Sequence, residues 1–512
     1  MLKYRKIIIL VGILLLAAFL RIYRISDYMT FLGDEGRDVL VAKGILEGHL
    51  TLLGPRASAG DFFLGPVYYY MIAPFLWLFH LDPVGPAIMV ALLGVATVFL
   101  IYYAGKKFFN EKAGLAAAAL YSVSPVIINY SHSSWNPNVL PFFSLLIILI
   151  TCKALEMGRK SGKYFLLSGF LLGIALQLHY LALFLGIIIF FFVFFGKWYL
   201  NKKILIVSTI KNYLQIFLGF LIGFSPFLAF EARHGFVNIR TIFGFILSDT
   251  FQKTRESHAP FLSIITDVFY RLFARLVFHS AYVENFITDP VSKFILGALI
   301  VALAITSIVF LYFAKNKLAV ILFYLWLFLG VILFGFYKKS IYDYYFAFAF
   351  PLPFLIIGNF ISEVSSFNKR AIGAVLGTVL FFAIFVCNLL DMPFRYEPNR
   401  QKDQIKTIAE FAISKTDNKP FNFALLTGGN SDHGYRYYFD VLGHPASIIE
   451  NPINDPRRTT VTKQLIVVCE QLPCSPMGHP LFDIAGFGRA EIAGEWTVSV
   501  VKVYKLIPYK TK

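Results

Sequence analysis

The sequence predicts a polytopic α-helical membrane protein carrying a small α/β domain at its C-terminal end, and three observations lead there. Hydrophobic residues make up 57% of the 512 and charged residues only 15%, a balance foreign to soluble globular domains. Apolar runs of the roughly 17 to 25 residues that cross a hydrocarbon core as helix recur until about residue 391. Lys and Arg gather in short loops on alternate sides of those runs. The division follows: residues 1–391 form the membrane domain, and residues 392–512 are polar enough to fold in water.

Taken in order, the spans fall near 7–23, 84–104, 113–130, 138–152, 164–179, 181–196, 212–230, 291–313, 318–336, 344–361 and 371–390, about eleven in all. The first begins with Lys3, Arg5 and Lys6 and ends at Arg21 and Arg24 with no small-residue cleavage site, so an uncleaved span is expected rather than a signal peptide. The net charge of +17 does not argue for nucleic acid. Its cations sit at Lys106/Lys107/Lys112, Lys153/Arg159/Lys160/Lys163, Lys197/Lys202/Lys203/Lys211, Lys315/Lys317 and Lys369/Arg370, the loops that face the cytoplasm if the N-terminus does. The turns around 131–137 and 180 carry none. An odd number of spans then puts the C-terminal domain on the extracytoplasmic side of the cell membrane.

Residues 24–83 are too long for a turn and too apolar for a free loop. Val39, Ala42 and Leu46 recur at helical spacing and Gly65 to His80 form an aromatic helix, so helices lying at the membrane interface are expected in this first outside loop. A second outside segment, 231–290, ends in a stretch where Arg271 and Arg275 fall four apart on one helix face. The C-terminal region alternates a helix (403–415) with β-branched runs at 465–468 and 497–503 and a Gly428-Gly429-Asn430 turn after Leu425-Leu426. Cys469 and Cys474 could close a short disulfide on the oxidising side, and free thiols are an equal reading.

On that topology four polar clusters fall on one side. They are Asp34 and Glu35 with Arg37; the 131–138 turn with Asn136; the span end at His179 and Tyr180; and Lys338, Lys339, Asp343 and Tyr344. Arg56 and Asp61 lie in the first loop. Each has a bland reading: Asp34 as a helix N-cap, the aromatic residues as interfacial anchors, the lysines as headgroup contacts. Their convergence favours a site. A carboxylate at the membrane surface can take a proton from a hydroxyl, while cations and a tyrosine can hold a lipid-linked phosphate. Sugar transfer from a polyprenyl phosphate to a hydroxyl needs this pair of roles.

Gly33-Asp34-Glu35, the Ala42-Lys43-x-x-Leu46-x-Gly48 helix, Gly65-Pro66-Val67-Tyr68-Tyr69-Tyr70, Lys107-Phe108-Phe109 and the Ala119 to Pro125 span end together resemble glycosyltransferase family 39. That group holds the protein O-mannosyltransferases and the lipid A aminoarabinose transferase, all of the GT-C membrane fold. The resemblance covers about residues 1–200, returns at 342–353 and is not evident in the C-terminal region. It implies an inverting, polyprenyl-phosphate-sugar-dependent transferase whose catalytic aspartate is matched by Asp34, with Glu35 its neighbour. It implies as partners a donor lipid and a glycan, lipid or protein acceptor. Relatives often carry an acid and a lysine where this chain has Phe63, Leu64 and Gly65, so their phosphate and metal contacts do not transfer. Arg37, Arg56, Asp61, Asn136, His179, Tyr180, Lys338, Lys339, Asp343 and Tyr344 remain candidates for donor or acceptor; no cofactor is certain and a divalent metal is left open. The alternative from another class is a carrier or flippase of lipid-linked sugars, which needs polar residues along a transmembrane path rather than pooled at one end.

Overall fold

The computed structural model describes residues 2–57, 60–203, 205–247, 259–337, 339–367 and 371–509. Their contacts form two compact units: unit 1 is Met1–Tyr23, Leu50–Met71 and Ile88–Glu397, and unit 2 is Arg24–His49, Ile72–Ala87 and Pro398–Lys512. Each is described by itself.

Unit 1 is helical. Among the described residues seven helices are long and apolar enough to cross a membrane, or nine if each of two bent pairs is one span. Leu2–Ile22, with Lys3, Arg5, Lys6 and Arg21 in its 21 residues, and Gly162–Leu178, with 17, make up the difference from the eleven expected. That larger count therefore rests on the sequence. The runs expected at 113–130 and 344–361 are not straight: Glu111–Val123 and Pro125–His132 meet at 60°, and Asp343–Ala349 and Pro351–Ser366 at 58°. Both breaks fall at a proline, which lacks an N–H. Before Pro125 the chain leaves helical geometry, with Ser124 extended (φ −67°, ψ 117°); before Pro351 Phe350 stays helical (φ −51°, ψ −41°), and the irregular residue is Phe346 (φ −99°, ψ 23°).

The first break leaves carbonyls at the end of Glu111–Val123 without helical partners. Arg21, fully buried, supplies them: Nη1 donates to Ser122 O at 3.0 Å and Nη2 to Tyr121 O at 3.3 Å. The arginine that closes the first apolar run is thus a C-terminal cap for another helix.

Gly162–Leu178 packs on Ile206–Gly223 through two small-residue motifs, Gly169-x-x-x-Gly173 and Gly219-x-x-x-Gly223. A Cβ on Gly169 would lie 1.8 Å from Ile216 O, and one on Gly219 1.9 Å from Leu166 O. Backbone against backbone is how helices gain dispersion energy where lipid offers no hydrophobic drive.

Unit 2 is layered. Its sheet has the order β1-β2-β4-β3, with β1 (Asn422–Leu426) parallel to β2 (Leu465–Cys469) and the hairpin of β3 (Ala490–Val498) and β4 (Val501–Pro508) antiparallel at the other side. β1 and β2 are buried along their whole length, which is why they read as unbroken apolar runs rather than alternating ones. The run expected at 497–503 is strand at both ends, in β3 and β4, interrupted by a two-residue turn with Ser499 at φ 53°. Cys469 and Cys474 are disulfide-bonded. Helix His433–Val441 covers β1, its Phe439 meeting Phe423 at 4.9 Å and Phe421 at 5.2 Å between ring centroids. Helix Gly33–Leu46 lies on the far side of His433–Val441. Glycine permits that approach, since a Cβ on Gly36 would sit 2.3 Å from Gly434 N.

Candidate active site

In unit 2 the acidic motif opens helix Gly33–Leu46. Glu35 folds back on the helix start: Oε2 accepts from Leu32 N at 3.1 Å and Oε1 from the Thr30 hydroxyl at 2.6 Å. Gly33 N donates to Asn430 Oδ1 at 2.8 Å. The N-terminal amides are thereby capped by Glu35 and Asn430, two residues other than the aspartate that sequence offered for the task. Asp34 itself, with 52% of its side chain exposed, accepts from Arg37 Nη1 at 2.7 Å.

Arg37 is shared. Its Nε and Nη2 donate to Asp38 Oδ1 at 3.0 and 2.7 Å, and Asp38 is completely buried. Burial pushes the Asp38 carboxyl up from 3.8 to about 7; Arg37 opposes the rise, and Asp34 and Glu35 add to it. Nearby, His433 Nδ1 lies 2.6 Å from the Ser431 hydroxyl, and burial holds its imidazole below the usual value. Asp38 was not singled out from the sequence, although its spacing of four from Asp34 puts both on one helix face.

In unit 1 three polar turns meet. Trp135 packs on Tyr344 (centroids 4.3 Å apart), His179 lies against Tyr344 (5.9 Å) and Tyr345 (5.3 Å), and the Tyr180 and Tyr337 hydroxyls are 2.7 Å apart. Asn136 is buried with its amide on Leu178 O at 2.5 Å, a bond that ties one turn to the next span end. Arg56 and Asp61 pair with each other at 2.7 Å, both largely exposed. Lys338 lies outside the described residues, and Lys339 stands next to it in the chain. Asp343 is gripped by Arg271 at 2.6 Å, with Arg275 at 3.7 Å. The two arginines were legible as one helix face; their focus on Asp343 was not, because 72 residues separate Arg271 from it. They lie on a π-helical turn, Arg271–Arg275.

Beside Tyr180 and Tyr337 opens a cavity of about 530 Å³ lined chiefly by Phe62, Leu64, Phe184, Phe227, Leu333 and Phe336. Its wall is apolar apart from the tyrosine hydroxyls. Among the described residues no three His, Cys, Asp or Glu side chains are grouped so as to hold a metal ion.

This is the fold of the GT-C membrane glycosyltransferases, the class that the first two hundred residues resembled. Residues 64–230 match the family model described as dolichyl-phosphate-mannose-protein mannosyltransferase. ArnT from Cupriavidus metallidurans in the apo state aligns with a TM-score of 0.60 at 13% identity, over 99% of this chain and 98% of that one. The same protein bound to undecaprenyl phosphate gives 0.59 at 13% identity, over 98% and 97%. The archaeal oligosaccharyltransferase AglB from Archaeoglobus fulgidus, in complex with an inhibitory peptide and a dolichol-phosphate, gives 0.54 at 13% identity over 91% of this chain and 69% of that one. No curated protein sequence matches the chain.

Proposed function

We propose that the protein transfers a sugar from a polyprenyl-phosphate-linked donor to a hydroxyl acceptor at the extracytoplasmic face of the cell membrane, with inversion, and that Asp34 is the general base. The observation that carries the reading is the state of Asp34. Its helix start is capped by other groups, so a half-exposed carboxylate oriented by Arg37 is left for a substrate proton. The apolar cavity beside Tyr180 and Tyr337 suits a prenyl chain, and Arg271, Arg275 and Lys339 supply cations for a phosphate. Arg37, Asp343, His179 and Tyr344 are assigned to donor or acceptor binding; Asn136 serves the fold of its turn, and Arg56 with Asp61 the first loop.

The lipid-linked sugar pool of cells with and without the gene tests the reaction class. A transferase leaves its donor accumulating on the outer leaflet of the deletion strain, whereas loss of a flippase would strand it on the inner leaflet; an unchanged pool contradicts both. Orientation has its own test. A reporter active only in the cytoplasm, fused after Arg395, should stay silent, and strong activity there would reverse the assigned side.

A further inference from the structure

The C-terminal region has no evident sequence resemblance to the transferase family, yet it holds the start of the acidic helix. Asn430 Oδ1 accepts from Gly33 N and from Ser431 N, each at 2.8 Å. Its amide nitrogen donates to both oxygens of Glu470, at 3.0 and 3.2 Å, and the Tyr435 hydroxyl donates to Glu470 at 2.8 Å. Glu470 follows directly on β2, the first of the four residues enclosed by Cys469–Cys474. The amide of Asn430 is therefore fixed in one orientation: its oxygen must face Gly33, because its nitrogen is claimed by a carboxylate. Close packing extends the grip. A Cβ on Gly33 would lie 1.9 Å from Ser431 Oγ, and Lys43 pairs with Asp440 at 2.9 Å further along the same helix. A simple cap would need only an acceptor at Gly33; here a second residue, from the loop after β2, sets the direction of the first.

We propose that Asn430, oriented by Glu470, is a positioning residue for Asp34, and that the C-terminal domain thereby takes part in the transfer reaction rather than merely accompanying it. The inference rests on the assignment of Asp34 as the base. Gly33 N is one bond from Gly33 Cα and one residue from Asp34, so the Asn430 contact sets where the helix begins and thus where its second residue points. Displacement of a reacting group by about 1 Å can cost about a hundredfold in rate.

A reciprocal exchange tests it in the full-length protein. Asn430→Asp retains an acceptor for Gly33 but sets a carboxylate against Glu470. Glu470→Gln, added to it, restores a donor between the two positions while leaving an acceptor for Tyr435. Hydrogen exchange of the peptide 32–38 is expected to quicken about fivefold in Asn430→Asp, the effect of a weakened cap, and to return to the wild-type rate in the double variant. Deletion cells complemented with Asn430→Asp should accumulate the donor lipid, and those given the double variant should not. Faster exchange without donor accumulation makes Asn430 merely structural and overturns the proposal. So does an unchanged exchange rate in Asn430→Asp, or a double variant that restores neither readout. If Asp34→Asn complements fully, the base assignment fails on its own, while exchange of 32–38 still decides whether Asn430 and Glu470 hold the helix.

Discussion

Replacing Asp34 with asparagine is expected to lower sugar transfer about a hundred- to ten-thousand-fold, the usual contribution of a positioned base, while the protein stays folded. The fold gives this substitution its power. If Asp34 were the N-cap, asparagine would serve nearly as well and activity would survive. The cap bonds belong instead to Glu35 and Asn430, at 3.1 and 2.8 Å, and an asparagine oxygen at position 34 can still accept from Arg37, now 2.7 Å from the carboxylate. Shape and local pairing persist and only basicity goes. Turnover and helix protection are measured on the same preparation. Near-wild-type turnover with unchanged protection would sink the assignment of the base.

Asp38→Asn should change stability with pH in a direction that burial dictates. The Asp38 carboxyl is raised from 3.8 to about 7, so the folded state favours its neutral form. The stability tied to that neutral form is fully present below about pH 3.8, declines as pH rises, and is gone above about pH 7. Asparagine cannot ionise and removes the decline. The variant should match the wild type near pH 4 and exceed it at pH 8, by at most about 4 kcal/mol for a displacement of that size. Other acids and histidines titrate in the same interval, but they are common to both proteins and cancel in the difference. Arg37 keeps an acceptor at position 38 in the variant, so its bond to Asp34 should survive. Protection of helix Gly33–Leu46 against hydrogen exchange, followed from pH 4 to 8, reads the effect; a difference that does not vary with pH would mean that Asp38 is ionised throughout.

The sequence by itself determined the class of this protein, because a bilayer demands long apolar helices whatever their partners, and composition and run length register that demand directly. It also marked Asp34 and Glu35, since two acids beside an apolar run stand out in any context, and it marked β2 through the β-branched run at 465–468 and the end of β1 through the turn after Leu425-Leu426. Span geometry was only half legible: Pro125 and Pro351 were visible, but the 60° and 58° bends beside them, and the capping of the first by Arg21, were not. Tertiary structure alone decided the tasks of the polar side chains. Local sequence offered Asp34 as a cap because it stands at a helix start; the cap bonds come instead from Glu35 and from Asn430, the latter 397 residues from Gly33. Arg271 finds Asp343 across 72 residues, and Gly36 meets Gly434 on a helix from the far end of the chain. Periodicity reports which face of a segment avoids water, a local property. Which donor meets which acceptor depends on distances between segments that only the closed chain supplies.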